Sequence, residues 1–148
     1  MFKEQKGQTL IETALILFLL LLILLGISEF ARAWYTKSSL KNGARQGVRV
    51  AVVTSPLVSF SNFTCPNKTS CPLADVVQNA VCCQPGVPEG TTVDLNIDMT
   101  TEPPNDALNA GDTITVDASS TFTYIVGGTP WPWPTSTNIT TYASMRYE

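Results

Sequence analysis

Residues 7–53 read GQTLIETALILFLLLLILLGISEFARAWYTKSSLKNGARQGVRVAVV, and the reading of this stretch decides the fold. Between Leu10 and Ile27 only Glu12 and Thr13 carry polar side chains. From Thr13 to Ser28 the run supplies about 24 Å of helix at 1.5 Å per residue, short of a bilayer core of about 30 Å. Tilt, local thinning or burial among packed helices accommodates the difference. The acid near its start is the feature to explain, because a carboxylate at that depth costs on the order of 2.5–3.5 kcal/mol even on lenient insertion scales.

The helical pattern does not stop where the apolar run does. Lys37, Lys41, Arg45 and Arg49 recur every four residues and stack on one face, and Glu29 and Arg32 precede them. Trp34, Leu40, Ala44, Val48 and Ala51 form the opposite stripe, and Trp34 with Tyr35 suits an interfacial belt. Gly26, Gly43 and Gly47 are weak points or places of close helix approach. Pro56 disfavours helical geometry at Ser55, so the helix is expected to end near Thr54. The result is one rod of about 45 residues, roughly 70 Å long.

Outside the rod the composition changes. The 148-residue chain has a formal net charge of -3, but seven of its nine basic residues precede Pro56. Beyond it, Lys68 and Arg146 stand against Asp75, Glu89, Asp94, Asp98, Glu102, Asp106, Asp112, Asp117 and Glu148. A basic stalk thus carries an acidic head, which argues against a nucleic-acid partner, since phosphate binding rests on clustered Lys and Arg. Histidine is absent. Without it no Ser-His or Cys-His pair can be built, Lys68 alone is a poor base, and no enzyme activity or cofactor is expected.

In the head, PLVSFSNFTCPNKTS reads as a loop, and Pro72 opens a short helix with Leu73, Val76, Val77, Ala80 and Val81 on one face. Period-2 alternation then recurs three times. Val93, Leu95, Ile97 and Met99 form the first run. Ile114, Val116, Ala118, Phe122 and Tyr124 form the second, and Ile139, Thr141, Ala143, Met145 and Tyr147 the third. The expected fold is α+β: a long N-terminal helix, a short helix and a small three-stranded antiparallel sheet with one buried face.

All four cysteines, Cys65, Cys71, Cys82 and Cys83, fall between residues 65 and 83. Following an apolar helix, they indicate an oxidising, extracytoplasmic compartment and a disulfide staple. A bridge between the adjacent Cys82 and Cys83 would be strained, so each is expected to link to Cys65 or Cys71, with the choice open. A structural zinc site is the rival, weakened by the lack of C-x-x-C spacing.

Other surfaces carry a functional and a plain reading side by side. Asp94, Asp98, Asp112 and Asp117 offer hard oxygen donors for calcium, but alternate strand positions fit a solvated sheet face better. Trp131 and Trp133, set between prolines, form a candidate contact surface for a partner, a carbohydrate or the membrane interface, or else cap the sheet core. The basic row meets anionic lipid headgroups, meets the acidic face of another subunit, or is simply solvated.

The segment KGQTLIE adds chemistry. Cleavage between Gly7 and Gln8 would create an amine at Gln8, four residues and one helical turn from Glu12. Buried charge is tolerated chiefly when paired, so Glu12 can neutralise that amine or a neighbouring subunit's. This arrangement resembles the class III leader of type IV pilins and pseudopilins, in which basic residues (here Lys3 and Lys6) precede a glycine cut by a prepilin peptidase and a glutamate stands fifth in the mature helix. The whole stretch resembles the TadE-like family of tight-adherence (Flp, type IVb) pilus proteins. Gly7-Gln8 with Glu12, the GI-x-EF-x-R-A segment from Gly26 and the N-x-AR-x-G-x-R segment from Asn42 carry the likeness, and ITTYASMRYE at the C-terminus is similar to that family's last strand. It does not separate TadE-like from the closely related TadF-like members. The resemblance implies a minor pilin or pseudopilin role in building the pilus, with the prepilin peptidase, other pilin subunits and the inner membrane as partners. The chain then divides into a leader (1–7), a membrane and assembly helix (8–54) and an extracytoplasmic head (55–148).

Three alternatives compete. The apolar run can be a plain signal-anchor with Glu12 incidental. It can also be a removable secretory signal, since Ala31-Arg32-Ala33 imitates a small-x-small cleavage site, although the helical pattern continues past it. The head can be a membrane-anchored binding or adhesion module using the sheet and the Trp-Pro loop. The Lys and Arg count, read alone, would place the head in the cytoplasm. The cysteines and the leader pattern place it outside, and several coinciding motif positions outweigh a charge bias.

Overall fold

Helix α1 spans Gln5–Val53 and enters both of the chain's compact units, Met1–Ala33 and Trp34–Glu148. The structure is a computed structural model that describes residues 5–54, 60–98, 110–125 and 134–148. In the first unit, the large apolar side chains of α1 from Leu10 to Phe30 are all exposed, between 71% at Leu10 and 38% at Leu22. A helix with apolar residues on every side has no use for water as a solvent, and this one is long and apolar enough to cross a membrane. Its last turn closes where expected: the Thr54 amide and hydroxyl both donate to the Val50 carbonyl. Ser55 and Pro56 lie outside the described residues.

In the second unit, the end of α1 becomes part of a core. Leu40, Ala44, Val48 and Ala51 are no more than 1% exposed, on the stripe that their spacing implies. Trp34, placed by spacing on the same stripe, is instead 64% exposed. Across from α1 lies an antiparallel sheet of four strands in the order β1-β2-β3-β4: β1 Phe60–Thr64, β2 Thr92–Asp98, β3 Thr113–Thr123 and β4 Ser136–Arg146. Val93, Leu95, Ile114, Val116 and Ala118 bury the face that alternation assigned to the core. Each such side chain, taken fully from water, is worth about 1.5–3 kcal/mol for the larger aliphatics. Phe122 continues the row and meets Tyr124 edge-on, ring centroids 5.2 Å apart. Met99 falls outside the described residues.

The sheet has one strand more than the three expected. β1 hides in the segment read as a loop, because a bulge breaks its period. Phe60 pairs with Leu95 and Phe63 with Val93, so two residues on β1, Ser61 and Asn62, oppose one on β2, Asp94. Asn62, within the bulge, takes a positive φ of 55°, which asparagine tolerates better than most residues. Its amide donates to the Asp94 carboxylate.

The short helix α2 also starts later than Pro72. It spans Val76–Cys82, with Asp75 as its N-cap. The Asp75 carboxylate accepts from the Val77 and Gln78 amides, both at 2.9 Å, satisfying donors that a helix start leaves open. Leu73 is held differently, its amide donating to Asn79 Oδ1 at 3.1 Å, and the Cys71–Pro72 peptide is cis. Val77 and Val81 point into the core as expected, whereas Val76 is half exposed.

Two glycines set the distance between α1 and α2. A Cβ added at Gly47 would stand 2.5 Å from Val81 Cγ2, and one at Gly43 would stand 3.2 Å from the Val81 carbonyl oxygen. Both positions therefore serve close helix approach, while Gly26 has nothing within 4 Å. Disulfides Cys65–Cys82 and Cys71–Cys83 then fasten the end of α2 to the segment after β1, each adjacent cysteine reaching a different upstream partner. Lys68 completes the fastening, its Nζ donating to the Cys82 carbonyl at 3.0 Å and the Gln84 carbonyl at 2.6 Å. A lysine at a helix C-terminus answers both the open carbonyls and the helix dipole.

Candidate functional site

Two places on the chain carry unsatisfied chemistry. The first is the start of α1. Polar side chains in an apolar run must find partners within the helix, and most here do. Thr13 returns its hydroxyl to the Thr9 carbonyl and Ser28 donates to the Leu25 carbonyl at 2.8 Å, the back-bonding by which hydroxyls enter lipid-facing helices. Glu29, where the run ends, pairs with Arg32 at 3.3 Å. Glu12 is the exception. It is exposed and makes no hydrogen bond or ion pair to a described residue. Gln8 lies one helical turn before it, so both occupy one face. Gly7 is helical with open space around it. The described residues thus place the Glu12 carboxylate on an exposed helix face without a cationic partner among them.

The second place is on the head. Lys37, Lys41, Arg45 and Arg49 are all exposed, along the row read from their spacing of four. Three of them, Lys41, Arg45 and Arg49, line one wall of an open groove of about 330 Å³. Tyr142, Ala143, Ser144 and Met145 of β4 line the other, with Val48 also contributing. Among the described residues none of the three cations has an ion-pair partner. The basic row was legible from its period of four. Its neighbour β4 was not, since which strand forms a sheet edge is a property of topology.

The remaining candidates are placed apart. Asp94, Asp98 and Asp117 lie on the outer face of β2 and β3, with Asp94 directly opposite Asp117 and Asn96 donating to Asp117 at 3.3 Å. Asp112 is fully buried where β3 begins, away from that face. Among the described residues no three potential metal ligands gather. Trp131 and Trp133 lie outside the described residues. All four cysteines are in disulfides, so none is a described thiolate ligand or nucleophile.

The family model for TadE-like protein matches residues 7–49, which is less than a third of the chain and covers the whole apolar run with the basic row. Comparisons with curated proteins and with solved structures return no match. The first third of the chain is TadE-like, and the disulfide-fastened sheet that follows lies beyond the matched residues.

Proposed function

We propose that this chain, TadE-like over residues 7–49, is a minor pilin or pseudopilin subunit of a Tad (Flp, type IVb) pilus, with a structural and not a catalytic role. In this reading a prepilin peptidase cuts between Gly7 and Gln8. Before the cut, α1 anchors the chain in the inner membrane with the head outside. After it, the new Gln8 amine and the Glu12 carboxylate form a charge pair, within one chain or between neighbours.

The observation that carries the reading is Glu12 itself. Within the apolar run from Leu10 to Ser28 the other polar side chains, Thr13 and Ser28, are satisfied by carbonyls of the preceding turn. Glu12 lacks a partner among the described residues, and it lies inside the TadE-like match. A simple anchor has no use for such a group, because a leucine there would insert more readily by several kcal/mol. A packed bundle does, since one buried charge pair fixes the register of otherwise featureless apolar helices. The disulfides support an oxidising compartment for the head.

N-terminal sequencing and intact mass of the protein purified from its own membrane test the processing step. A mature chain beginning at Gln8 is expected. An intact Met1, or a start at Trp34 after the Ala31-Arg32-Ala33 site, would sink the reading. Glu12→Leu tests the pairing: the chain should insert and its head fold as before, while pilus assembly falls to background. Normal piliation in that variant would remove the role given to Glu12.

A further inference from the structure

The two edges of the sheet are unlike. β1 is five residues long and bulged, the usual ways of making an edge unreceptive. β4 has neither protection. It runs for 11 residues in unbroken register with β3, contains no proline, and carries a single charge, at Arg146. Among the described residues its far edge pairs with nothing. In an antiparallel strand alternate residues direct both N–H and C=O away from the neighbour, so roughly half of β4 offers a row of main-chain donors and acceptors.

The groove beside that edge carries the second observation. Lys41, Arg45 and Arg49 border it without a counter-charge, while the head beyond residue 55 holds nine acids and two bases. Three cations have therefore been gathered along one strand edge of an otherwise acidic head. Their spacing is also informative. Residues four apart on a helix rise about 6 Å, and alternate residues on a strand about 6.7 Å. A strand added to β4 directs every second side chain to the face of the sheet that α1 covers.

We propose that the β4 edge and its basic groove receive an extended segment of a neighbouring subunit that carries carboxylates at alternate positions. Main-chain pairing to β4 gives the segment its direction, and the acids meet Lys41, Arg45 and Arg49 in turn. Val48, Ala143 and Met145 supply apolar floor between them. A lipid headgroup would use the cations but leave the strand edge unpaired, so a polypeptide accounts for more of the surface. The proposal rests on reading the chain as a subunit of an assembly.

The test uses the full chain in nonionic detergent and a fluorescent peptide, TVDLDID, whose three acids stand at alternate positions along a strand. Two control peptides accompany it: TVKLKIK, and TVDLDID methylated at alternate backbone nitrogens. Anisotropy is expected to give binding at least about tenfold tighter for the acidic peptide than for either control, weakening as salt rises. The K41E/R45E/R49E variant should lose at least about tenfold, and K41R/R45K/R49K should retain binding, with disulfides and circular dichroism unchanged in both. Equal binding of the methylated or lysine peptide, or no binding of TVDLDID, would overturn the proposal. So would displacement of the peptide by millimolar glycerophosphoserine, which would assign the row to a headgroup. None of these results depends on cleavage at Gly7 or on piliation, so the assembly reading stands or falls separately.

Discussion

Replacing Gly47 by alanine sets two effects of known size against each other. In an unconstrained helix alanine is favoured over glycine by about 0.8–1 kcal/mol. Here the added methyl would lie 2.5 Å from Val81 Cγ2, over an ångström inside ordinary carbon contact. Val81 is fully buried, and its carbonyl packs so closely over Gly43 that even a Cβ there would stand only 3.2 Å from it, so α2 has little room to yield against α1. Overpacking of this kind costs about 1–3 kcal/mol, with the upper half expected where neither partner can rotate away. After the propensity gain, Gly47→Ala should destabilise the head by about 1–2 kcal/mol, or roughly 4–8 °C for a unit of this size. Urea and thermal unfolding of the full chain in nonionic detergent, followed by near-ultraviolet circular dichroism, measure it. The cycle with Val81→Ala sharpens the test, because removing both Cγ atoms vacates the space that the new methyl needs. The double variant should be more stable than the sum of the single losses by about 1 kcal/mol or more. Gly26→Ala, with nothing within 4 Å, should leave the head transition unmoved. Stabilisation of the head by Gly47→Ala, or an additive cycle, would refute the packing argument.

The other consequences for stability follow from the fastening around α2. Removing the Cys65–Cys82 bridge as a Cys65→Ala, Cys82→Ala pair frees a loop with a sequence separation of 17, and chain entropy puts the loss near 3 kcal/mol. The loss should show as a lower urea midpoint, and an unchanged midpoint would mean that the core alone holds α2. Asp75→Ala removes the acceptor of two amides and should cost about 1 kcal/mol in the same assay, whereas Asp75→Asn, which keeps an acceptor, should cost less. Equal losses from the two would show that the cap contributes little.

Where periodicity was clean, the fold was legible. The core face of α1 from Leu40 to Ala51, the inward rows of β2 and β3, and the row of cations all followed from spacing alone. Where one residue interrupts the period, legibility failed. The bulge around Asn62 puts Phe60 and Phe63 three apart, so β1 reads as neither strand nor helix. At α2 the proline signal put the start at Pro72, whereas the cap is Asp75, fixed by hydrogen bonds from the Val77 and Gln78 amides that no pattern displays. Trp34 stands six residues before Leu40, which at about 100° per residue sets its azimuth between Lys41 and Arg45 and away from Leu40, Ala44 and Ala51. Its assignment to the core stripe misread the spacing, and its exposure follows from the helix period. Pairing of Cys65 with Cys82 and Cys71 with Cys83 needed the position of α2 against β1. Glu12 stood out from composition alone, whereas the groove beside β4 needed the strand order.

The tail of α1 has a mechanical consequence. Ser39 through Ala51 is not tethered to the head by a flexible peptide but is one of the layers enclosing its core. A pull along the helix axis therefore loads the contacts of Leu40, Ala44, Val48 and Ala51 together, in shear, instead of peeling one contact at a time. The two bridges lock the opposing α2 surface against which that shear acts. A unit built this way yields by sliding a whole helix out of its bed, a higher-threshold event than peeling.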